Sequence, residues 1–433
     1  MKLELANFPV KRVQFGKQTS YKDGVLQINK DELIEFVLED KRIASANLDV
    51  AFPNEQTRIV IVRDAVEPRV KVSGPSSVFP GILGPAETVG EGRTNRLSRV
   101  AVVTSAKYCP RLLAGTTSQR SGVLDMWGPG SLVTPLGSTI NIVLILKLVE
   151  GVTEWGAHAA IQLAECRVAN RLAETTRSQT CKNLEVFELF KVDPSLPRVV
   201  YILCCSTEPH APHSGVALYG LPIQESLPTF IHPNEFLDGA LTTDARRGSA
   251  LWTDTWGWMN HPVVLGLLRE HGKRLNFLGV ILQRTEFETQ LGKQVTAACT
   301  SQMARLLGAD GALLTRIIPS GNNVLDVMGT LQACERKSVK TVLITPEQRG
   351  ADTEPSLPFY LPEATAMVST GDMYSDIKLP APTKVIGAEK GELVELWGGE
   401  TPFSPWDEIT LSGLDIDEGV DWWGGGYKTC KEY

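Results

Sequence analysis

The sequence has no CxxC spacing, no block of lysine and arginine, and no apolar run long enough to cross a bilayer. Its eight cysteines are scattered over 433 residues, with one adjacent pair at Cys204 and Cys205 and none between Cys205 and Cys299. Zinc sites show paired spacing, and disulfide frameworks belong to small secreted chains. Neither fits, so the cytoplasm is the expected compartment. Lys and Arg number 43 against 50 Asp and Glu, giving a net charge of -7. Sequence-independent nucleic-acid binding needs a basic face to displace counterions, so that class is set aside. The longest apolar run, INIVLILKLV (140–149), is broken by Lys147. It is too short for a membrane span and reads as a buried strand. The opening residues lack the apolar core and small-residue cleavage site of a signal peptide.

What is present is a globular composition, 42% hydrophobic and 21% charged, long enough for two or three domain-sized units. Residues 1–75 alternate like short strands around one helical stretch, KDELIEFVLED (30–40), whose apolar spacing and early acids suit a helix. Glycine and proline thicken over 75–137. HAAIQLAECRVANRLAETT (158–176) carries the apolar stripe of an amphipathic helix. Beyond a polar linker, continuous apolar runs at 199–206, 277–283, 311–317, 341–345 and 366–370 alternate with helical patterns at 263–272, 296–308 and 324–337. That alternation indicates a parallel sheet covered on both faces. The expected fold is α/β: a β-rich N-terminal region (1–183), then a Rossmann-like sheet with helices on both faces (184–390), then a Trp- and Gly-rich tail (391–433).

Parallel sheets bind ligands beyond the carboxyl ends of their strands. Here those ends carry Cys205, Arg284, residues 319–323 and residues 346–350. His210 and His213 follow the first of these strands and are candidate acid–base residues. A metal on the same histidines, with Cys204 and Cys205 nearby, is the weaker alternative, because the pair lacks a third ligand. In ETVGEGRT (87–94), glycines let a ligand approach the backbone, and Arg93 offers a planar fork for an anion. The segment EFLDGALTTDARRGSALWTDTWGWMNHP (235–262) shows neither helical nor strand period. Its tryptophans argue for an ordered functional loop. Within NHP, Asn260 is expected to cap the helix that follows.

Several segments together resemble the alpha/beta proprotein subunits of component B of glycine, sarcosine and betaine reductases. They are EPRVKVSG, FPGILGPAETVGEGRTNRL, GVLDMWGPG, PTFIHPNEFLDGAL, LGADGALLT and KTVLIT, in that order. The resemblance implies a segment after DGA in which a cysteine cuts the chain and becomes a pyruvoyl electrophile able to form a Schiff base. Aligning Asp238–Gly239–Ala240 and Asn260–His261–Pro262 on that pattern puts Arg246 at the cysteine's position. A guanidinium cannot act as the nucleophile of self-cleavage, so no pyruvoyl group is expected unless Ser249 or Thr243 takes over the role. The implied activity is a reductase-like subunit binding a small amine or carboxylate for cleavage or exchange of a carbon–heteroatom bond. A cysteine- or selenocysteine-bearing partner subunit would supply the nucleophile. Glu87, Arg93, Thr94 and Arg246 would hold the substrate, and His210 and His213 would move protons. The alternatives are a non-catalytic companion subunit and a self-sufficient, metal-assisted lyase or hydrolase on the same fold.

Overall fold

A computed structural model describes residues 1–107, 122–181, 183–190, 192–205, 215–223, 226–244, 253–285, 287, 289–317, 323–349, 354–395, 402–426 and 431–432. The described residues form a mixed α/β structure whose N-terminal half holds a small three-stranded sheet (Arg12–Phe15, Val25–Ile28, Ser20–Lys22) and two larger ones. One has strand order Leu184–Glu188, Lys2–Pro9, Gly92–Ser98, Arg69–Ser73. The other runs Gly122–Asp125, Thr57–Val66, Val100–Lys107, Ile140–Leu148, Ile43–Ala51. The apolar run broken by Lys147 is therefore a strand. Burial there alternates toward its carboxyl end, with Lys147 turned to solvent between Leu146 and Leu148. The helix Glu154–Glu174 is capped by Thr153, whose hydroxyl accepts from Gly156 N. It packs across Arg69–Ser73 and Val100–Lys107.

The second half is built on a sheet of order Thr229–Ile231, Asn276–Arg284, Arg198–Cys205, Gly311–Arg316, Lys340–Glu347, Ala366–Asp372, Lys431–Glu432. The five inner strands are mutually parallel and the two outer ones antiparallel. Successive residues of Arg198–Cys205 face opposite ways, as the period of two in a strand requires. Val200, Ile202 and Cys204 pack with the helices Gln290–Leu306 and Asn323–Arg336. Tyr201, Leu203 and Cys205 pack with the helix Pro262–Glu270 and with Trp422 and Trp423 of the tail. The strands and helices sit within a few residues of their expected positions. The exception is the helix Gln290–Leu306, which starts earlier because Thr289 caps it through Gly292 N.

Two features tie the halves together. The strand Leu184–Glu188 pairs with Lys2–Pro9, and Lys384–Ile386 returns to pair with Thr57–Val66. The tail is fastened by Arg58, whose buried guanidinium forms a two-pronged pair with Asp125 and donates to the carbonyls of Pro380, Pro405 and Asp407. Among the described residues no helix is long and apolar enough to cross a membrane.

Candidate functional site

The stretch expected as one loop at 235–262 is largely built of short elements. They are the helix Asn234–Leu237, the strand Leu241–Asp244 and the helix Thr255–Met259. Four or five residues are too few for either period to register, and packing decides such short elements. Residues 245–252, with Arg246, Ser249 and Trp252, lie outside the described residues, as do His210 and His213.

Asp238, which closes the helix Asn234–Leu237, is fully buried and fully engaged. One carboxylate oxygen accepts from Gly90 N at 2.8 Å and from the Lys71 ammonium, and the other accepts the Thr94 hydroxyl at 2.5 Å. The turn after it needs Gly239: φ is +74° there, and a Cβ would stand 2.6 Å from the Phe79 ring. Gly90 is confined likewise, with φ at +100° and a Cβ position 2.9 Å from that of Asn234. The ETVGEGRT and DGA segments are thus locked to each other. Arg69 strengthens the lock. Buried beside Glu67, it donates to the carbonyls of Leu237 and Met259 and to Asn260 Oδ1.

Of the residues expected to bind substrate, Thr94 is buried with its hydroxyl on Asp238. Arg93 is half-buried and donates from Nε to Asn95 Oδ1 at 3.2 Å, and Glu87 is exposed. Asn260 does not cap the helix Pro262–Glu270, whose N-cap position is His261. The Asn260 amide instead donates back to Trp256 O, and its oxygen takes Arg69, so it closes the preceding turn.

Both ends of the 245–252 segment are rooted in one buried place. Thr243 donates from N to the Thr255 hydroxyl at 3.0 Å and from Oγ1 to Thr253 O at 2.5 Å. Gln162 of the long helix clamps the same strand through Thr242 Oγ1 and Thr243 O. Around this root stand Asp64, Glu165, Asp254 and Asp417, all buried, and half-buried Glu418. Asp64 accepts from Thr255 N and Oγ1 at 2.7 and 2.6 Å. Burial pushes its carboxyl up to about 7 against the donors that hold it down. Glu165, beside it, is raised well above the ordinary carboxylate range by burial and by the Asp64 charge. Asp254 and Glu418 are raised by burial and then by the charges of Asp417 and their other acidic neighbours, while the Asp254 N–H donates to Glu418 and holds it down in part. Among the described residues no group of three or more His, Cys, Asp or Glu is arranged to hold a metal ion.

Glu418 opens onto a cavity of about 320 Å³ whose walls include Trp256, Asn260, Leu132, Asp421 and Trp423. Asp421 is tied down by the N–H groups of Trp423, Gly424, Gly425 and Gly426. Trp423 stacks on His261, 4.2 Å between ring centroids, and meets Trp258 edge-on. His261 Nε2 lies 3.0 Å from the Tyr201 hydroxyl, and burial drives the imidazole's pKa down to about 3, so it stays neutral. Two indoles and a carboxylate around a small cavity suit an organic cation, through the ring quadrupole and the charge together. Glu418, Asp421 and Trp423 come from the tail. The only sign of them in the sequence was its Trp–Gly pattern, DWWGGGY.

Cys205 is fully buried with its thiol raised by burial, and Cys299 is exposed on the helix Gln290–Leu306. The Thr243 hydroxyl is already spent on Thr253 O.

The family model for glycine/sarcosine/betaine reductase component B subunits matches residues 1–405. Glycine reductase complex component B subunits alpha and beta of Acetoanaerobium sticklandii is 34% identical over 406 residues, 92% of each chain. Sarcosine reductase complex component B subunit alpha of Peptoclostridium acidaminophilum is 33% identical over 394 residues, 89% of each chain. Betaine reductase complex component B subunit alpha of the same organism is 33% identical over 435 residues, 97% of this chain and 95% of the relative. No solved structure matches. With its fold carried on the EPRVKVSG, ETVGEGRT and DGA segments that the resemblance rested on, this chain belongs to the glycine/sarcosine/betaine reductase component B family.

Proposed function

We propose that this chain is an enzyme subunit of a glycine/betaine-reductase-like complex that handles a small amine or carboxylate substrate without a pyruvoyl group. The observation that carries the reading is the cavity of Trp256, Trp423 and Glu418 beside the root of the segment where relatives carry their cysteine. The indoles hold a substrate ammonium and Glu418 balances its charge. Because burial raises Glu418, an incoming cation drives it to release its proton, which makes it an acid–base group next to the substrate. Arg246 stands in for the lost electrophile by charge, and Arg93, with Glu87 and Thr94 in the same segment, is the second anion-holding candidate. His210 and His213 are the further proton carriers, by sequence position. A cysteine- or selenocysteine-bearing partner subunit supplies the nucleophile for cleavage or exchange of the carbon–heteroatom bond.

In this reading the seven-stranded sheet is Rossmann-like, residues 1–183 and 184–390 are the two domains with 391–433 as a tail, and the complex is cytoplasmic. The relatives' names make glycine, sarcosine and betaine the first ligands to titrate into the full-length chain by calorimetry. At least one should bind. A cation–π contact contributes about 0.5–2 kcal/mol, so Trp256→Ala should weaken binding by about two- to thirtyfold, and Glu418→Gln should weaken it too. Failure of all three ligands to bind, or wild-type affinity in both variants, would remove the cavity from the account. Co-expression with the partner should give co-elution on size exclusion. Activity of this chain alone, unchanged by the partner, would contradict the complex.

A further inference from the structure

The helix-covered face of the large sheet ends in a row of buried polar side chains. Gln283, Cys204 and Arg316 lie in register across three strands, and Thr345 and Ser369 continue the row on the next two. Every one of them is shielded from solvent. Gln283 is satisfied by Thr330 of the helix Asn323–Arg336, and Ser369 by Glu347. Arg316 is the exception. Its Nε donates to Thr345 Oγ1 at 2.9 Å and its Nη1 to Asn323 Oδ1 at 3.3 Å, but its Nη2 has no partner. Both acceptors are neutral, and no carboxylate among the described residues pairs with it. Asp326, the acid in the first turn of that helix, is held by Lys293 in a buried pair of their own. A fully buried cation of this kind carries a large desolvation penalty. Burial accordingly drags the guanidinium down to about 9.

The location makes the imbalance worse. Asn323 is the first residue of a 14-residue helix, so the Arg316 fork points at the positive end of the helix dipole. The N–H groups of a first helical turn have no acceptor within the helix. An anion lying between two such positive features would relieve both. Thr345, Asn323 and Phe359, whose ring lies 5.6 Å from the guanidinium carbon, fix the plane of the fork and leave Nη2 as its one unpartnered nitrogen. Leu325, in the same turn, is exposed, so the turn reaches solvent.

We propose that Arg316 and the N-terminal turn of the helix Asn323–Arg336 form a binding site for a small oxyanion, a carboxylate or phosphate group. It lies at the carboxyl edge of the sheet and is separate from the Trp256–Trp423 cavity. The proposal rests on neither the substrate nor the partner of the preceding section.

The test is thermal unfolding of the full-length chain in acetate, in inorganic phosphate, and in chloride at matched ionic strength. Wild type should gain several degrees in acetate or phosphate over chloride, and the anion with the larger shift identifies the group. Arg316→Met should lose that gain and, relieved of an unpaired buried charge, unfold no earlier than wild type in chloride. Asn323→Asp places a carboxylate against the fork without emptying the site, so it should also abolish the gain. This second variant keeps the test open if Arg316→Met fails to fold. No gain in wild type with either anion overturns the proposal. A gain that survives in Arg316→Met, or in Asn323→Asp when Arg316→Met does not fold, also overturns it.

Discussion

Asp238 and Asp64 are both buried aspartates, and they are in opposite situations. Asp238 meets a lysine, a backbone N–H and a hydroxyl, while Arg69 clamps the adjoining Leu237 carbonyl, so its charge is met on every side. Asp64 meets a hydroxyl and two backbone N–H groups but, among the described residues, no cation, and shares its surroundings with Glu165, Asp254 and Glu418. One environment fixes a carboxylate as a structural rivet. The other raises its acids by burial, with Asp64 pushed up to about 7. Residue type and burial are the same, so the difference lies in the cations each site is given. The DGA aspartate is therefore held as scaffold, and the acids without such compensation lie just beyond it.

The largest effect that could break this contrast is Asp238→Ala. It strands the Lys71 ammonium and the Gly90 and Thr94 donors, and should cost roughly 3–5 kcal/mol in denaturant titration. A loss below about 1 kcal/mol would mean that the rivet reading is wrong. Next in size is the pH response. The Asp64 carboxyl moves from an ordinary 3.8 to about 7 on folding. Between those values the native state keeps a proton that the unfolded chain has released, so stability falls as pH rises through that window and levels off above it. Glu165, Asp254 and Glu418 act in the same direction. Asp64→Asn should flatten the curve and stabilise the protein at pH 8. A melting temperature that rises between pH 5 and 7 in wild type would contradict the assignment.

Arg246 sharpens the comparison from outside both regions. If it holds an anionic substrate, Arg246→Ala loses a charge-assisted bond worth roughly 1.5–3 kcal/mol, or about ten- to a hundredfold in affinity. Arg246→Lys should recover only part of that. Affinity and turnover both within about twofold of wild type in the alanine variant, by the same conversion, would leave it with no role. The smallest expected change is in the stability of Glu418→Gln. Removing an acid that is already reluctant to ionise should alter the unfolding free energy by less than about 1 kcal/mol, even though substrate affinity drops. A loss as large as that of Asp238→Ala would put Glu418 in the scaffold as well.

The large sheet could be read from the sequence because its inner strands are continuous apolar runs and its helices carry clear stripes, from Arg198–Cys205 to Ala366–Asp372. The short elements between 234 and 259 could not, since four or five residues show no period. Glycine spacing picked out ETVGEGRT, yet Thr94 could not be seen to donate to a carboxylate 144 residues away. The cavity was hidden for the same reason. Its walls come from residues 132–135, from the 256–262 segment and from residues 418–426 of the tail, which no local pattern joins. Arg316 stood in an ordinary strand pattern, and only the fold shows that no carboxylate among the described residues reaches it.

The chain is expected to work whole, without the cut that would create a ketoacyl terminus. Intact-mass spectrometry of the purified protein, before and after incubation with its partner, tests it most directly. The expected result is a single species at 47.3 kDa, unchanged in mass by borohydride. Two fragments that sum to the chain, one bearing a blocked, borohydride-reducible terminus, would contradict it.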